Sequence, residues 1–139
     1  MVTEVPGLER LHRLVGQAPR QVVAGYLFGS VARGTASAGS DVDLGLLLAA
    51  APARTLEGRM LDYEAELERA LGQPVQVVIL NDAPPDLAHR VLRDGRLLLD
   101  RDRSARLRWE VRARNLFFDM QPVVTRYRRR ALERAAGAR

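Results

Sequence analysis

Within the 139 residues, the stretch GSVARGTASAGSDVDL, residues 29–44, holds the side chains best suited to chemistry. Asp41 and Asp43 are one residue apart, and on a strand such a pair shares a face. Their carboxylates would then project together about 7 Å apart, with Val42 and Leu44 turned to the core. Like charges that close are costly to bury unless a cation bridges them. Hard oxygen donors suit a divalent ion, chiefly Mg²⁺. A metal pair held there can clamp the attacking and leaving oxygens of a phosphoryl displacement. Gly29 and Ser30 stand where an apolar run ends and a short helix is expected. Glycine lets backbone approach a ligand closely, and free N–H groups at a helix start attract phosphate. The Ser30 hydroxyl adds a hydrogen bond, and Arg33 one turn on adds positive charge. A lone Gly-Ser or Asp-x-Asp is commonplace in turns. Strand, Gly-Ser, ten residues, Asp-x-Asp and a second apolar strand together make the signal specific.

The flanking pattern supplies elements that can position these groups. Leu8, Leu11, Leu14 and Val15 recur at helical spacing, which predicts a helix over about 5–17 that ends at Pro19. QVVAGYLF, 21–28, reads as a buried strand, with Tyr26 in the core. The small polar loop TASAGS separates it from the strand DVDLGLLL, 41–48. Leu56, Met60, Leu67 and Leu71 form one stripe of a helix over 54–71, closed by Gly72 and Pro74. PVQVVIL, 74–80, is a third strand, 81–85 a turn, 86–94 a short helix stopped by Gly95, and RLLL, 96–99, a fourth strand. From about Ser104 the chain is helical again. His12 and His89 are isolated on helices, with no second ligand at metal spacing.

Composition narrows the chemistry further. One compact domain fits this length. There is no cysteine, hence no thiolate nucleophile, disulfide or zinc–sulfur site. Every basic residue is arginine, so Schiff-base chemistry has no amine to use. The longest apolar run, Leu44 to Ala53, is too short to span a bilayer, and no secretory leader is evident. A cytoplasmic location is expected. Charge is uneven: residues 1–100 hold 10 Arg and 13 acids, whereas residues 101–139 hold 12 Arg and 4 acids.

The run GSVARG…SDVDL resembles the nucleotidyltransferases of the polymerase-β superfold, and at this length most resembles the minimal nucleotidyltransferases. Similarity extends through PVQVVIL, NDAPPDLAHRVLRDGRLLLDRD and WEVRARNLFFDMQPVVTRYRRR. The resemblance implies an α/β fold, a small mixed sheet flanked by helices, with a nucleotidyltransferase domain over 1–100 and a basic amphipathic helical extension over 101–139. It implies that Gly29, Ser30 and Arg33 bind the nucleotide and that Asp41 and Asp43 bind Mg²⁺ and act in catalysis, with ATP as donor. Members often serve as antitoxins to HEPN-domain RNase toxins, some by transferring AMP to a toxin tyrosine, and a homo- or hetero-oligomer is expected. The family places a third carboxylate in the next strand. Here that position is Gln76, which neither neutralises a metal nor accepts a proton. Glu64, Glu66, Glu68 and Asp82 offer no convincing replacement.

Two further roles follow from the same residues: a degenerate antitoxin that neutralises its toxin by binding alone, or a transferase acting on a small molecule, for which no substrate domain is visible. The stripe Trp109, Ala113, Leu116, Phe117, Met120, Val124, Tyr127 and Ala131 makes the C-terminal helix amphipathic, with Pro122 expected to kink or restart it. The helix is expected to dock on its own domain or, because the stripe is too long for so small a sheet to cover, to meet a partner along part of it. Arg126, Arg128, Arg129 and Arg130 would, in the antitoxin reading, face an acidic patch on the toxin or bound RNA. Direct nucleic-acid binding is disfavoured, because the aromatic–basic interleaving of single-strand binders is missing.

Overall fold

A computed structural model describes residues 7–33, 41–50 and 54–137, without the side chains of residues 33, 54–59, 121–125 and 137. The elements run in the order α1 (Leu8–Gly16), β1 (Val22–Phe28), α2 (Gly29–Arg33), β2 (Val42–Leu48), α3 (Arg54–Leu71), β3 (Val75–Ile79), α4 (Pro85–Asp94), β4 (Arg96–Asp100) and α5 (Arg103–Gly137), with a 3-10 turn at Leu80–Asp82. The expected loop TASAGS and the Leu56 side chain lie outside the described residues. No described helix is long and apolar enough to cross a membrane.

The four strands form one mixed sheet in the order β3-β2-β1-β4. β1 pairs antiparallel with both β2 and β4, and β2 pairs parallel with β3. All seven residues of β1 are buried, as the apolar run requires of a central strand covered on both faces. One face packs Val22, Leu27, Leu44 and Leu46 against Leu11 and Val15 of α1 and Met60 and Leu67 of α3. The other packs Val23, Tyr26, Phe28 and Leu47 against Ala88 and Val91 of α4 and Trp109 and Ala113 of α5. Because strand side chains alternate, Val42 and Leu44 face α1 and α3, while Asp43 shares the opposite side of β2 with Gly45 and Leu47.

Polar side chains tie the layers together at places periodicity does not reveal. β3 is an edge strand, and such an edge leaves backbone donors unpaired. Glu68 and Glu64 of α3 accept hydrogen bonds from Val75 N (3.0 Å) and Val77 N (2.9 Å), covering that edge. Asn81 extends the sheet with an amide-like pair, accepting from Leu48 N and donating to Leu48 O, each at 2.9 Å. The Arg101 guanidinium gathers the carbonyls of Gly16, Ala18, Pro19 and Val22 and so fixes the α1–β1 connection against β4. His12 lies 3.2 Å from the Leu98 carbonyl through Nδ1, and His89 stacks on Phe117 with ring centroids 3.6 Å apart. Each histidine thus has a packing role between elements.

The first turns of α5 are bolted to the sheet. Trp109 is 5% exposed and donates its indole N–H to Leu80 O at 3.1 Å. Tyr26 donates to Glu110 Oε1 at 2.7 Å, and Arg106 pairs with Glu110 and Asp100. Burial, reinforced by the Glu110 carboxylate, pushes the Tyr26 hydroxyl well above the ordinary phenol range, so it stays protonated as the donor. Tyr26→Phe should cost about 2 kcal/mol, because the lost bond ends on a charged acceptor that keeps Arg106 as its partner. A urea titration of both proteins checks this, with the midpoint lowered at unchanged slope.

One expectation about α5 is corrected. It does not restart at Pro122 but runs as one helix from Arg103 to Gly137. Proline removes one backbone hydrogen bond, and the strong helix formers further along the helix, from Arg126 to Ala136, carry it past Pro122 and the β-branched Val123, Val124 and Thr125. Its apolar stripe is covered only in part, as so small a sheet led one to expect. Trp109 and Ala113 are buried, whereas Leu116, Met120 and Tyr127 are exposed, Tyr127 by 72%. The sheet ends before the helix does. Val124 lies among the side chains not described.

Candidate active site

The antiparallel register sets Phe28, the last residue of β1, opposite Asp43 of β2. Gly29 follows at once with φ of 75°, a left-handed conformation that costs any other L-residue strain. A Cβ at this position would also collide with Asp43 Oδ2. The left-handed backbone requires glycine, and any side chain here would also force the Asp43 carboxylate to turn aside. The Gly-Ser element and the second aspartate, fourteen positions apart in sequence, meet at one point of the sheet.

Parallel pairing of β2 with β3 places Gln76 directly beside Asp43, since the two are register partners. Adjacent strands lie about 4.8 Å apart, so the Gln76 position adjoins the aspartate. Phe28, Gly29, Ser30, Asp43, Gln76 and Val78 line a cleft of about 520 Å³, whose far wall is Leu87, Arg90 and Arg93 of α4. Asp41 sits one residue ahead of β2 and is exposed, outside the residues that line the cleft. The two acids nevertheless feel each other. Asp43 titrates above the usual carboxylate range, chiefly from burial, then from the charge of Asp41, against an opposing pull from Arg90. The Arg33 side chain lies outside the described residues.

This donor set fits a hard divalent cation. A half-buried carboxylate made uncomfortable by a like charge is relieved by a 2+ ion, and Mg²⁺ is commonly held by one or two carboxylates with water and substrate phosphates completing its shell. Among the described residues no group of three or more His, Cys, Asp or Glu side chains could hold a metal. The oxygen ligands would be Asp43 and Asp41, and the cation would supply charge neutralisation for a phosphate.

Residues 11–104 match the family described as polymerase beta, nucleotidyltransferase. The chain belongs to that family. Among curated proteins none matches it. Solved structures similar to this nucleotidyltransferase include a chain of a toxin–antitoxin complex with AMP-PNP, at TM-score 0.74 and 22% identity, covering 90% of this chain and 98% of that one. A chain from the Shewanella oneidensis complex of a tri-AMPylated HEPN toxin with its MNT antitoxin aligns at TM-score 0.69 and 18% identity, over 91% and 96%. A chain solved as a minimal nucleotidyltransferase aligns at 0.55 and 27%, over 68% and 95%. The fold is that of the polymerase-β nucleotidyltransferases, as the Gly-Ser and Asp-x-Asp spacing led one to expect.

Arg90 and Arg93 escaped the sequence reading. Their one signal is spacing: Leu87, Arg90 and Arg93 recur every three residues along α4. That pattern equally describes a solvated face, and only packing of α4 beside α2 and β1 turns it toward the cleft.

Proposed function

We propose that this nucleotidyltransferase is an antitoxin that binds Mg²⁺-ATP in the cleft beside Gly29 and transfers AMP to a tyrosine of a HEPN-domain toxin, slowly. The observation that carries this reading is the apposition of Gly29 and Asp43, with Gln76 as the next residue in register. The similar chains from toxin–antitoxin complexes, one with AMP-PNP and one with an AMPylated HEPN toxin, support it. Gly29 and Ser30, with Arg33, hold the triphosphate, and Asp41 and Asp43 hold the metal. A tyrosine oxygen of the toxin forms a bond to the α-phosphorus. The bond from that phosphorus to the oxygen bridging the β-phosphate breaks, and pyrophosphate departs. Gln76 takes no proton, so the phenolic proton, with an ordinary pKa near 10, passes to solvent. That is the step Gln76 leaves unassisted.

In this reading residues 1–100 form the transferase domain and residues 101–139 an extension whose distal half meets the toxin. Its exposed apolar side chains and its arginines suit a partner with an apolar strip and an acidic border. A cytoplasmic location goes with that role. Gln76 also favours a second reading, in which the antitoxin neutralises its toxin by binding alone.

Co-purification with the product of the adjacent gene, followed by intact-mass measurement after incubation with Mg²⁺-ATP, distinguishes the two. Added AMP on the toxin supports transfer, a stable complex without added mass supports binding alone, and no complex sinks both. Removing residues 121–139 is expected to weaken complex formation at least about tenfold, as loss of a few interface anchors does, with Mg²⁺-ATP binding retained. Equal loss of both would assign the segment to the domain core.

A further inference from the structure

The two arginines on the cleft wall are not equivalent. Arg93 donates to the carboxylate of Asp94 through Nε at 3.1 Å and Nη2 at 2.9 Å, a two-pronged pair that satisfies most of its charge locally. Arg90, one turn earlier, is exposed on the cleft and makes no hydrogen bond or ion pair with any described residue. The charge it acts on is Asp43, across the cleft. Once a divalent cation takes up the two aspartates, the Arg90 guanidinium faces a cleft whose described lining holds no other acid.

A nucleoside triphosphate changes this balance. Its polyphosphate carries about four negative charges, and two carboxylates with one divalent ion sum to zero. The site therefore needs further cationic charge on the side away from the aspartates. Guanidinium is the group best shaped for that, since its planar fork can grip two phosphate oxygens at once. α4 packs against β1 and α2, so Arg90 is carried on a fixed helix facing the Gly29–Ser30 turn.

We propose that Arg90 binds the β- and γ-phosphates of the nucleotide and then holds the pyrophosphate as it leaves, so that it selects triphosphates over monophosphates. This rests on the nucleotide reading of the cleft given above and adds to it the residue that reads phosphate number. Arg90 supplies no proton and forms no bond.

The test is calorimetric titration of the full chain with AMP-PNP and with AMP, each with Mg²⁺, for wild type, Arg90→Ala, Arg90→Lys and Arg93→Ala. Arg90→Ala should weaken AMP-PNP about 10- to 100-fold, the size expected for a charge-assisted bond, and should change AMP by less than about threefold. Arg90→Lys should recover part of the loss, because the charge returns without the fork. Arg93→Ala should lose much less than Arg90→Ala. Arg90 is exposed, so a retained thermal midpoint separates lost binding from lost fold. Equal losses for AMP and AMP-PNP would overturn the assignment, as would AMP-PNP binding untouched by Arg90→Ala or an Arg93→Ala loss of the same size. A wild-type chain that binds neither ligand would overturn the nucleotide reading and this inference with it.

Discussion

Asp43→Asn is expected to abolish AMP transfer, by at least about 10³-fold, while making the metal-free protein more resistant to unfolding. Transfer suffers because a metal's stabilisation of the transition state is worth several kcal/mol, and each 1.36 kcal/mol is a factor of ten. Stability moves the other way because the folded environment disfavours the charge of Asp43, through burial first and the Asp41 carboxylate second. Its folded pKa lies above its unfolded value. The stabilisation from the protonated form is therefore complete below the unfolded pKa, near 4, and is lost as pH rises through the folded pKa. At neutral pH the ionised carboxylate is a burden that asparagine removes. Thermal melts of both proteins in EDTA check the sign: the variant should melt higher at pH 7, with the gap closing as the pH falls toward 4. Added Mg²⁺ should raise the wild-type midpoint and leave that of the variant nearly still. A variant that melts lower at pH 7 would show that the Asp43 charge is no burden, and one that still responds to Mg²⁺ as wild type does would show that Asp43 is not a ligand.

The second large effect is a gain. Gln76→Asp should raise AMP transfer by about 10²- to 10⁴-fold, the range expected for a general base or a third metal-bound carboxylate. Register makes this substitution direct: Gln76 is the β3 partner of Asp43 and is exposed on the cleft, so a carboxylate there adjoins Asp43 without repacking. Without metal, a third acid beside Asp43 should lower the thermal midpoint at pH 7, and Mg²⁺ should restore more of it than in wild type. Radiolabelled AMP incorporation into the partner measures the rate. If the wild-type chain already transfers fast and the substitution changes nothing, Gln76 is not the missing third carboxylate. The binding-only antitoxin predicts instead that toxin neutralisation is insensitive to both Asp43→Asn and Gln76→Asp.

Arg90 pulls Asp43 toward ionisation while burial and Asp41 push the other way. A cleft built only from the acidic side of this balance would hold a neutral Asp43 over a wider pH range and bind a cation less readily.

Local sequence settled a great deal. β1 was legible as an unbroken apolar run, β2 as a run that turns apolar after its two aspartates, the end of α4 from Gly95, and the Gly-Ser and Asp-x-Asp elements from their types and separation. These are properties of neighbours along the chain, where side-chain period and backbone preference act within a turn or a strand. Which acids and cations share a cleft is a property of sheet order and register. Only the pairing of β2 with β1 and β3 sets Asp43 against both Gly29 and Gln76, and only the packing of α4 beside β1 brings Arg90 to the same place. The same limit applies to Glu64 and Glu68, whose carboxylates read as a solvated helix face and in fact close the open edge of β3. It applies as well to α5, whose stripe is continuous in sequence but buried only as far as the sheet beneath it reaches. A periodic pattern states that a face is apolar or charged, and the fold decides what that face meets.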